Sequence, residues 1–342
     1  MVNIQKTGVF GLTLDSKSET RSIYLNQKRL SNPVNNSINT IITSDTKEAL
    51  DMIEANSVKL AVTSPPYWNI KDYDAPGQIG QSDYDTYIND LVEVFVKTER
   101  VLKPNGKLAI VTPIMPIPKA VINDNHTRHL KNINNDLEAA LLQSSEFKMK
   151  RYSLFIWQKQ TSENMFGSYP YPPNIYENNT IEFINVFVKD GKPEKLPIEV
   201  KGYSKLSQEE WNNLTMQIWP MYPADVPRIK GHPAPFPLVL PQRFIMMYTF
   251  KEVPDLNFSG DIVLDMFNGT GTTCIAAKQM GRGYIGIDIN QDYNKYARMR
   301  LSMTTQSKPE IFLQKTNVKK PHSEIDQIPL FHESERVQIA IG

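Results

Sequence analysis

Residues 261–289, DIVLDMFNGTGTTCIAAKQMGRGYIGIDI, decide the fold of this chain. DIVLDMF is an apolar run of strand length. Gly269-Thr270-Gly271 ends it with a turn, and residues 272–280 continue as a helix. GYIGIDI, residues 283–289, is a second strand, and residues 292–303 form a second helix. Strand, glycine turn, helix, strand and helix make a βαβα unit, the building block of an α/β sheet.

The turn has a physical logic of its own. Gly269 and Gly271 let the backbone turn sharply and come close to a ligand. Thr272 and Thr273 open the next helix, whose first N–H groups have no partner within it. Asp288 closes the second strand ~20 residues beyond the turn, where nucleoside-binding α/β folds hold ribose hydroxyls on a carboxylate. Asp265, at the end of the first strand, suits a cationic ligand group. The dinucleotide pattern G-x-G-x-x-G is incomplete, because Cys274 occupies its third glycine position. No phosphate-binding G-x-x-x-x-G-K-[ST] occurs either. A nucleoside without a pyrophosphate therefore fits better than NAD or a nucleoside triphosphate. The same turn is also compatible with tight packing and no ligand.

Upstream, residues 46–57 read as a short helix and residues 57–63, SVKLAVT, as a buried strand. Ser64-Pro65-Pro66-Tyr67-Trp68 follows at once, and two adjacent prolines cannot continue a sheet ladder. Residues 83–102 have helical spacing, Lys103-Pro104-Asn105-Gly106 is a turn, and KLAIVT, residues 107–112, is another strand. A helix is expected around residues 135–143, β-rich stretches over 151–159 and 180–189, and a helix over 238–250. The stretch between the two β-rich segments is full of Tyr, Pro and Asn and reads as loop. Residues 1–40 are polar, with little periodicity, and residues 190–230 are polar and interrupted by proline.

Composition sets outer limits. A chain of 342 residues with 40% hydrophobic content can bury one large core, or one core and a smaller attached domain. Lys and Arg number 38 against 37 Asp and Glu, so bulk charge carries no nucleic-acid signal, and a DNA binder would have to gather its basic residues on one face. The single cysteine, Cys274, excludes a disulfide framework or a Cys-rich zinc site within the chain. No metal is expected. The start has no basic-then-apolar signal pattern, and no apolar run approaches the ~18 residues of a membrane span. The expectation is a soluble, cytoplasmic protein with no membrane partner.

Ser64-Pro65-Pro66-Tyr67 carries the most chemistry. The prolines stiffen the loop and remove backbone donors, leaving carbonyl oxygens to point outward. A rigid loop with a hydroxyl, exposed carbonyls and an aromatic ring can hold a planar base bearing an amino group. The alternative is a proline-rich turn with a buried tyrosine.

TSPPYW followed downstream by DMFNGTGTT resembles the amino-methyltransferase family of DNA modification enzymes, whose catalytic motif is [DNS]-P-P-[YFW]. The catalytic loop precedes the cofactor loop, as in the family's permuted beta-type arrangement. LVEVFVKTERVLKPNGKLAIV, RYSLFIWQKQ, IEFINVFVKDGKP and GHPAPFPLVLPQRFI also resemble family segments, in the family's order. The resemblance covers roughly residues 41–303. It implies a Rossmann-like methyltransferase fold: a mostly parallel twisted sheet flanked by helices, with a small target-recognition region. The expected segments are a catalytic half (41–159), a target-recognition region (160–230) and a cofactor-binding half (231–305), flanked by an N-terminal arm (1–40) and a C-terminal tail (306–342) read from their polar composition, with residues 328–331 of the tail as an apolar anchor.

The same resemblance implies site residues. Ser64, Pro65, Pro66 and Tyr67 match the catalytic loop. Asp265, Phe267, Gly269, Gly271 and Thr272 match the loop for S-adenosyl-L-methionine, with Asp265 toward its ammonium and Asp288 at the ribose carboxylate. Residues 232–237, including His232, Pro235 and Phe236, would line the methionine end. Met266 departs from the family, which usually has proline there. DNA contacts are expected from Trp68, Lys71, Lys201, Lys205, Arg228 and Lys230, with Tyr169 and Tyr171 beside them.

The implied function is methyl transfer to an exocyclic amino group in double-stranded DNA, within a restriction–modification system whose endonuclease acts separately. Ser at the first loop position more often accompanies cytosine N4 in this family, and an acid accompanies adenine N6. Cytosine N4 is therefore expected, with adenine N6 as the alternative. An RNA or protein amino-methyltransferase and a non-enzymatic DNA-binding relic are the other readings. The intact loops argue against decay. Ring-carbon methylation needs a nucleophilic cysteine, usually after proline. Cys274 follows Thr273 on a helix and reads as packing.

Overall fold

The computed structural model describes residues 11–13, 21–24, 38–68, 77–117, 129–159, 166–221 and 236–307. All lie in Met1–Ile311, the first of two compact units. The second, Phe312–Gly342, falls outside the described residues, and with it the anchor expected at 328–331.

The chain opens with strands β1 (Gly11–Thr13), β2 (Arg21–Tyr24) and β3 (Thr40–Thr43). Helix α1 (Thr46–Met52), strand β4 (Val58–Thr63), helix α2 (Tyr84–Val101) and strand β5 (Leu102–Thr112) follow. A ribbon of β6 (Ile114–Ile117) and β7 (His129–Asn132) leads to α3 (Ile133–Gln143) and β8 (Lys150–Lys159). A second ribbon, β9 (Phe166–Gly167) and β10 (Ile175–Tyr176), precedes β11 (Ile181–Val188), α4 (Ile198–Gly202), α5 (Gln208–Leu214) and β12 (Ile218–Met221). Helix α6 (Val239–Tyr248), β13 (Ile262–Asp265), α7 (Thr272–Gln279), β14 (Gly283–Asp288) and α8 (Gln291–Ser302) complete the set.

One sheet runs in the order β1-β2-β3-β14-β13-β4-β5-β11-β8-β12. Within it β1 and β11 run against the other strands. The expected α/β architecture, a mostly parallel sheet flanked by helices, is the one found. Its central strands are apolar at successive positions because both faces are covered: all six residues of β4 are buried. On one face Leu50 of α1, Leu91 and Phe95 of α2 and Leu137 of α3 pack into the core. On the other face Leu240 and Phe244 of α6, Ile275 of α7 and Leu301 of α8 do the same. Asp45 and Asp83 start α1 and α2 by accepting hydrogen bonds from backbone N–H groups of the first turn.

The placement of β4 beside β13 sets up the site. From β13 the chain leaves toward β14, and from β4 it leaves toward β5, on the opposite side. Connections that diverge from neighbouring strands open a crevice at their carboxyl ends.

Several elements depart from the sequence reading. Residues 11–13 and 21–24 of the expected arm are strands at the sheet edge, β2 parallel to β3. Two short segments of this kind leave no periodicity to read. The turn at residues 103–106 lies inside β5, where the pairing with β4 jumps from Val58↔Leu102 to Leu60↔Lys107. Asn105 there has φ 60°, a turn conformation that Asn tolerates. The expected loop between β8 and β11 contains the β9–β10 ribbon.

Residues 190–230 are not all peripheral, because β12 extends the main sheet alongside β8. Its Trp219 is 1% exposed, with ring centroids 4.5 Å from Phe155 and 5.0 Å from Phe244. Arg243 lies 4.4 Å over the same ring. Trp219→Ala is therefore expected to cost about 3–5 kcal/mol of stability. Urea unfolding should read this as a lowered midpoint, and a loss below about 1 kcal/mol would remove β12 from the core.

Candidate active site

Both motif loops leave the carboxyl ends of the neighbouring strands β4 and β13, and both line one cleft. Its space, including the mouth open to solvent, is about 910 Å³. Ser64, Pro65, Pro66 and Tyr67 form one wall. Phe267, Gly269, Thr272 and Asp288 form the facing part, together with Phe236.

The first wall is pinned from behind. Tyr87, fully buried on α2, donates its hydroxyl to the Pro66 carbonyl at 2.9 Å. The Tyr67 hydroxyl donates to Glu182 Oε2 at 3.1 Å, and Ser64 Oγ lies 3.5 Å from the same phenolic oxygen. Trp68 is 9% exposed, donates Nε1–H to the Ser82 carbonyl at 2.8 Å, and packs edge-on against Tyr84 at 5.1 Å. Trp68 is thus a buried anchor of the loop and not the expected DNA contact.

The second wall is built on hydrogen bonds that the loop sequence dictates. Gly269, at φ 48°, donates its N–H to Asp288 Oδ2 at 2.7 Å. Asn290 N–H donates to Asp288 Oδ1 at 2.8 Å. The half-buried Asp288 carboxyl, which lines the cleft, is pushed up to about 6 by burial, against the pull of these two N–H groups.

Asp265 differs from the expectation. It is 1% exposed and stands behind the wall. Its Oδ1 accepts from Thr63 Oγ1 at 2.7 Å and Phe267 N–H at 3.1 Å, and its Oδ2 accepts from Thr273 Oγ1 at 2.7 Å. Burial pushes this carboxyl up to about 6 as well, while the Thr273 and Thr63 hydroxyls and the Phe267 N–H hold it down. Asp265 therefore ties β4 to β13 and α7 and does not face a ligand ammonium.

Gly271 also has a packing role. It has φ 87°, and a Cβ there would stand 2.8 Å from Ala297 Cβ of α8. The side-chain position of Gly271 is bare so that helices can meet, and Gly269 is the glycine that lines the cleft. Cys274 is fully buried, with Sγ 3.1 Å from Asn268 Oδ1, and burial raises its thiol well above the usual range. That is a packing cysteine.

Lys201 and Lys205 are exposed and lie outside the cleft wall, as are Tyr169 and Tyr171, at 70% and 74% exposed. Lys71, Arg228, Lys230, His232 and Pro235 lie outside the described residues.

Sequence reasoning missed part of the wall. Asp45 and Thr46 enter it from the carboxyl end of β3, and Thr46 Oγ1 donates to the Met266 carbonyl at 2.9 Å. Asn290 and Tyr293 enter from the start of α8. A helix-capping Asp45 after a strand was the available signal, since all parallel strands deliver their carboxyl ends to one edge. Asn268 was also missed. It lines the cleft, is 4% exposed, and its Nδ2 has no hydrogen-bond partner among the described residues. A buried amide without an acceptor, beside a half-buried carboxylate, fits a cleft made for a polar ligand.

A family model described as DNA methylase matches residues 58–299. The type II beta methyltransferase M.BslI of Bacillus sp. (strain NEB-606) is 27% identical over 310 residues, which span 85% of this chain and 31% of that protein. The DNA adenine methyltransferase YhdJ of Escherichia coli (strain K12) is 29% identical over 301 residues, spanning 80% of this chain and 86% of that protein. A candidate DNA modification methylase of Thermus thermophilus, crystallised with S-adenosyl-L-methionine, superposes with a TM-score of 0.60 and 30% identity over 76% of this chain and 93% of that one. The chain thus spans under a third of M.BslI and most of the other two. The family match covers both motif loops of the cleft, and the chain belongs to the amino-methylating (N6/N4) DNA methylase family, whose cofactor is S-adenosyl-L-methionine.

Proposed function

We propose that this protein methylates the N4 amino group of cytosine at a specific sequence in double-stranded DNA, as the modification enzyme of a restriction–modification pair. The observation that carries this reading is the meeting of Ser64–Tyr67 and Gly269–Asp288 across one cleft.

When bound, S-adenosyl-L-methionine supplies a methyl group on a sulfonium, an electrophile for an amino nitrogen. Asp288 would accept its ribose hydroxyls, and the orphaned Asn268 Nδ2 would donate to a polar edge. Phe236 and Phe267 add apolar wall.

The amino group of a base is a poor nucleophile, because its lone pair is spread into the ring. It is also stacked within the duplex, so the nucleotide must be turned out, at a few kcal/mol. Tyr67 stacks on the extruded base, worth about 1–3 kcal/mol. The Ser64 hydroxyl and Pro65 carbonyl accept the two amino protons. That favours a pyramidal nitrogen with its lone pair directed into the cleft. Fixed acceptors stabilise the positive charge that nitrogen gains more in the transition state than in the ground state. Lys201, Lys205, Tyr169 and Tyr171 are exposed and available to contact the duplex.

Ser64 supports cytosine over adenine. A serine here presents a neutral hydroxyl to the base, where an acid would present an ionised acceptor. Adenine N6 is the second reading, favoured by the YhdJ relative, a DNA adenine methyltransferase 29% identical to this chain. The test is incubation with unmethylated duplex DNA and methyl-labelled S-adenosyl-L-methionine. Label in the DNA is expected, and no label on any duplex, including genomic DNA, would contradict the reading.

A further inference from the structure

The catalytic wall is backed by an ion pair, its carboxylate buried and its lysine half-buried, that the mechanism above does not use. Glu182, the second residue of β11, is 5% exposed. Its Oε1 is 2.7 Å from Lys159 Nζ, at the end of β8. The two strands are antiparallel neighbours, with Glu182 opposite Trp157, so the pair sits at the sheet edge where β4 delivers the catalytic loop. Neither residue lines the cleft. A buried ion pair is a weak source of stability, because apolar side chains of similar volume serve as well or better. Its other oxygen shows a use. Glu182 Oε2 accepts the hydroxyl proton of Tyr67 at 3.1 Å.

That contact fixes the direction of a chain of hydrogen bonds. A carboxylate can only accept, so the Tyr67 hydroxyl must donate to Glu182. Having given its proton, the phenolic oxygen has only lone pairs left for Ser64, whose Oγ lies 3.5 Å away. In any hydrogen bond between the two hydroxyls Ser64 is then the donor, which leaves its own lone pairs to accept from a third group. The Ser64–Tyr67 separation is long for two hydroxyls, as catalytic hydrogen bonds often are before substrate arrives. Ser64 and Tyr67 both line the cleft, so the acceptor face of Ser64 is presented where a target amino group would enter.

We propose that the Lys159–Glu182 pair is a positioning device that sets the polarity of the Glu182–Tyr67–Ser64 chain, so that Ser64 meets the target amino group as an acceptor. The same contact holds the Tyr67 ring in one orientation for stacking. This rests on the amino-transfer reading above. It assigns Glu182 and Lys159 a role in methyl transfer that neither motif loop contains.

Glu182→Gln is the direct test. A glutamine amide keeps the size but can turn its NH₂ toward Tyr67, which frees the chain to run backwards. Single-turnover methyl transfer is expected to fall about 10- to 100-fold, with KM for DNA and Kd for S-adenosyl-L-methionine within about twofold of wild type. Tyr67→Phe, which keeps the ring and leaves the ion pair intact, should lose a similar factor. Glu182→Gln in the Tyr67→Phe background should lose nothing more. If Tyr67→Phe transfers at the wild-type rate, the proposal is overturned, however well Glu182→Gln folds. An equal further loss from Glu182→Gln in the Tyr67→Phe background would also overturn it, as the mark of a merely structural pair. Wild-type protein that labels no DNA would instead contradict the amino-transfer reading itself.

Discussion

Tyr67→Ala is expected to lower methyl transfer to DNA on the order of 100-fold while leaving the affinity for S-adenosyl-L-methionine within about twofold. The size follows from the ring. Base–aromatic stacking of about 1–3 kcal/mol corresponds to roughly 5- to 150-fold in rate if it is realised on the extruded base. Alanine also removes the hydroxyl between Ser64 and Glu182 and leaves the buried Glu182 oxygen without its donor. The cofactor should not notice, because Gly269, Thr272 and Asp288 line the facing wall. Single-turnover transfer on duplex DNA and titration calorimetry of the cofactor read the two quantities separately. Unchanged transfer would remove Tyr67 from the base site. A matching loss of cofactor affinity would mean that the two walls are not separate.

The opposite split is expected at Asp288. Asp288→Ala would remove the proposed acceptor for ribose, and it strands the N–H groups of Gly269 and Asn290, which both donate to Asp288. Cofactor Kd should rise on the order of 100-fold, as expected for losing hydrogen bonds to a charged group at about 1.5–3 kcal/mol. The raised carboxyl gives a second handle. With Asp288 pushed up to about 6, it takes a proton as pH falls through that value and ceases to be an anionic acceptor. Cofactor binding in the wild type should therefore weaken as pH falls from above that value to below it.

Asp265 is raised to about the same value, but its oxygens face Thr63, Thr273 and the Phe267 N–H. Asp288→Asn should thus flatten the pH dependence of binding while Asp265 is unchanged. Stability of the free protein runs the other way. Both carboxyls hold their protons more tightly folded than unfolded, so their contribution is full below the ordinary carboxylate range and is lost as pH rises through about 6. A binding constant that stays level across that range would place the ribose acceptor elsewhere.

The two motif loops were legible because each follows a continuous apolar run and each breaks it with residues that no strand tolerates. Pro65 and Pro66 end β4, and Gly269 turns the chain after β13. What lay hidden was the direction of side chains. Asp265 and Asp288 both close apolar strands of the same sheet, yet one is sealed behind the wall and the other opens onto the cleft. Gly269 and Gly271 read alike, but only the structure shows Ala297 against the second. Trp68 beside the catalytic loop suggested DNA, and its indole N–H is taken by the Ser82 carbonyl.

Other residues gave no local signal. Glu182 is one charge at the start of the strand IEFINVFV, indistinguishable from a solvent-facing position until β8 brings Lys159 beside it. Strand β12 is too short and too isolated in a polar, proline-interrupted stretch to read as sheet. Its Trp219 becomes core only through Phe155 and Phe244, distant in sequence. Spatial neighbours that lie far apart along the chain are the common factor in these misses.

The most direct test is the identity of the methylated base. Unmethylated duplex DNA, treated with the purified protein and S-adenosyl-L-methionine, is digested to nucleosides and resolved by mass spectrometry. N4-methylcytosine is the expected product, made by the wild type and lost in Tyr67→Ala. N6-methyladenine as the sole product would contradict cytosine as the target.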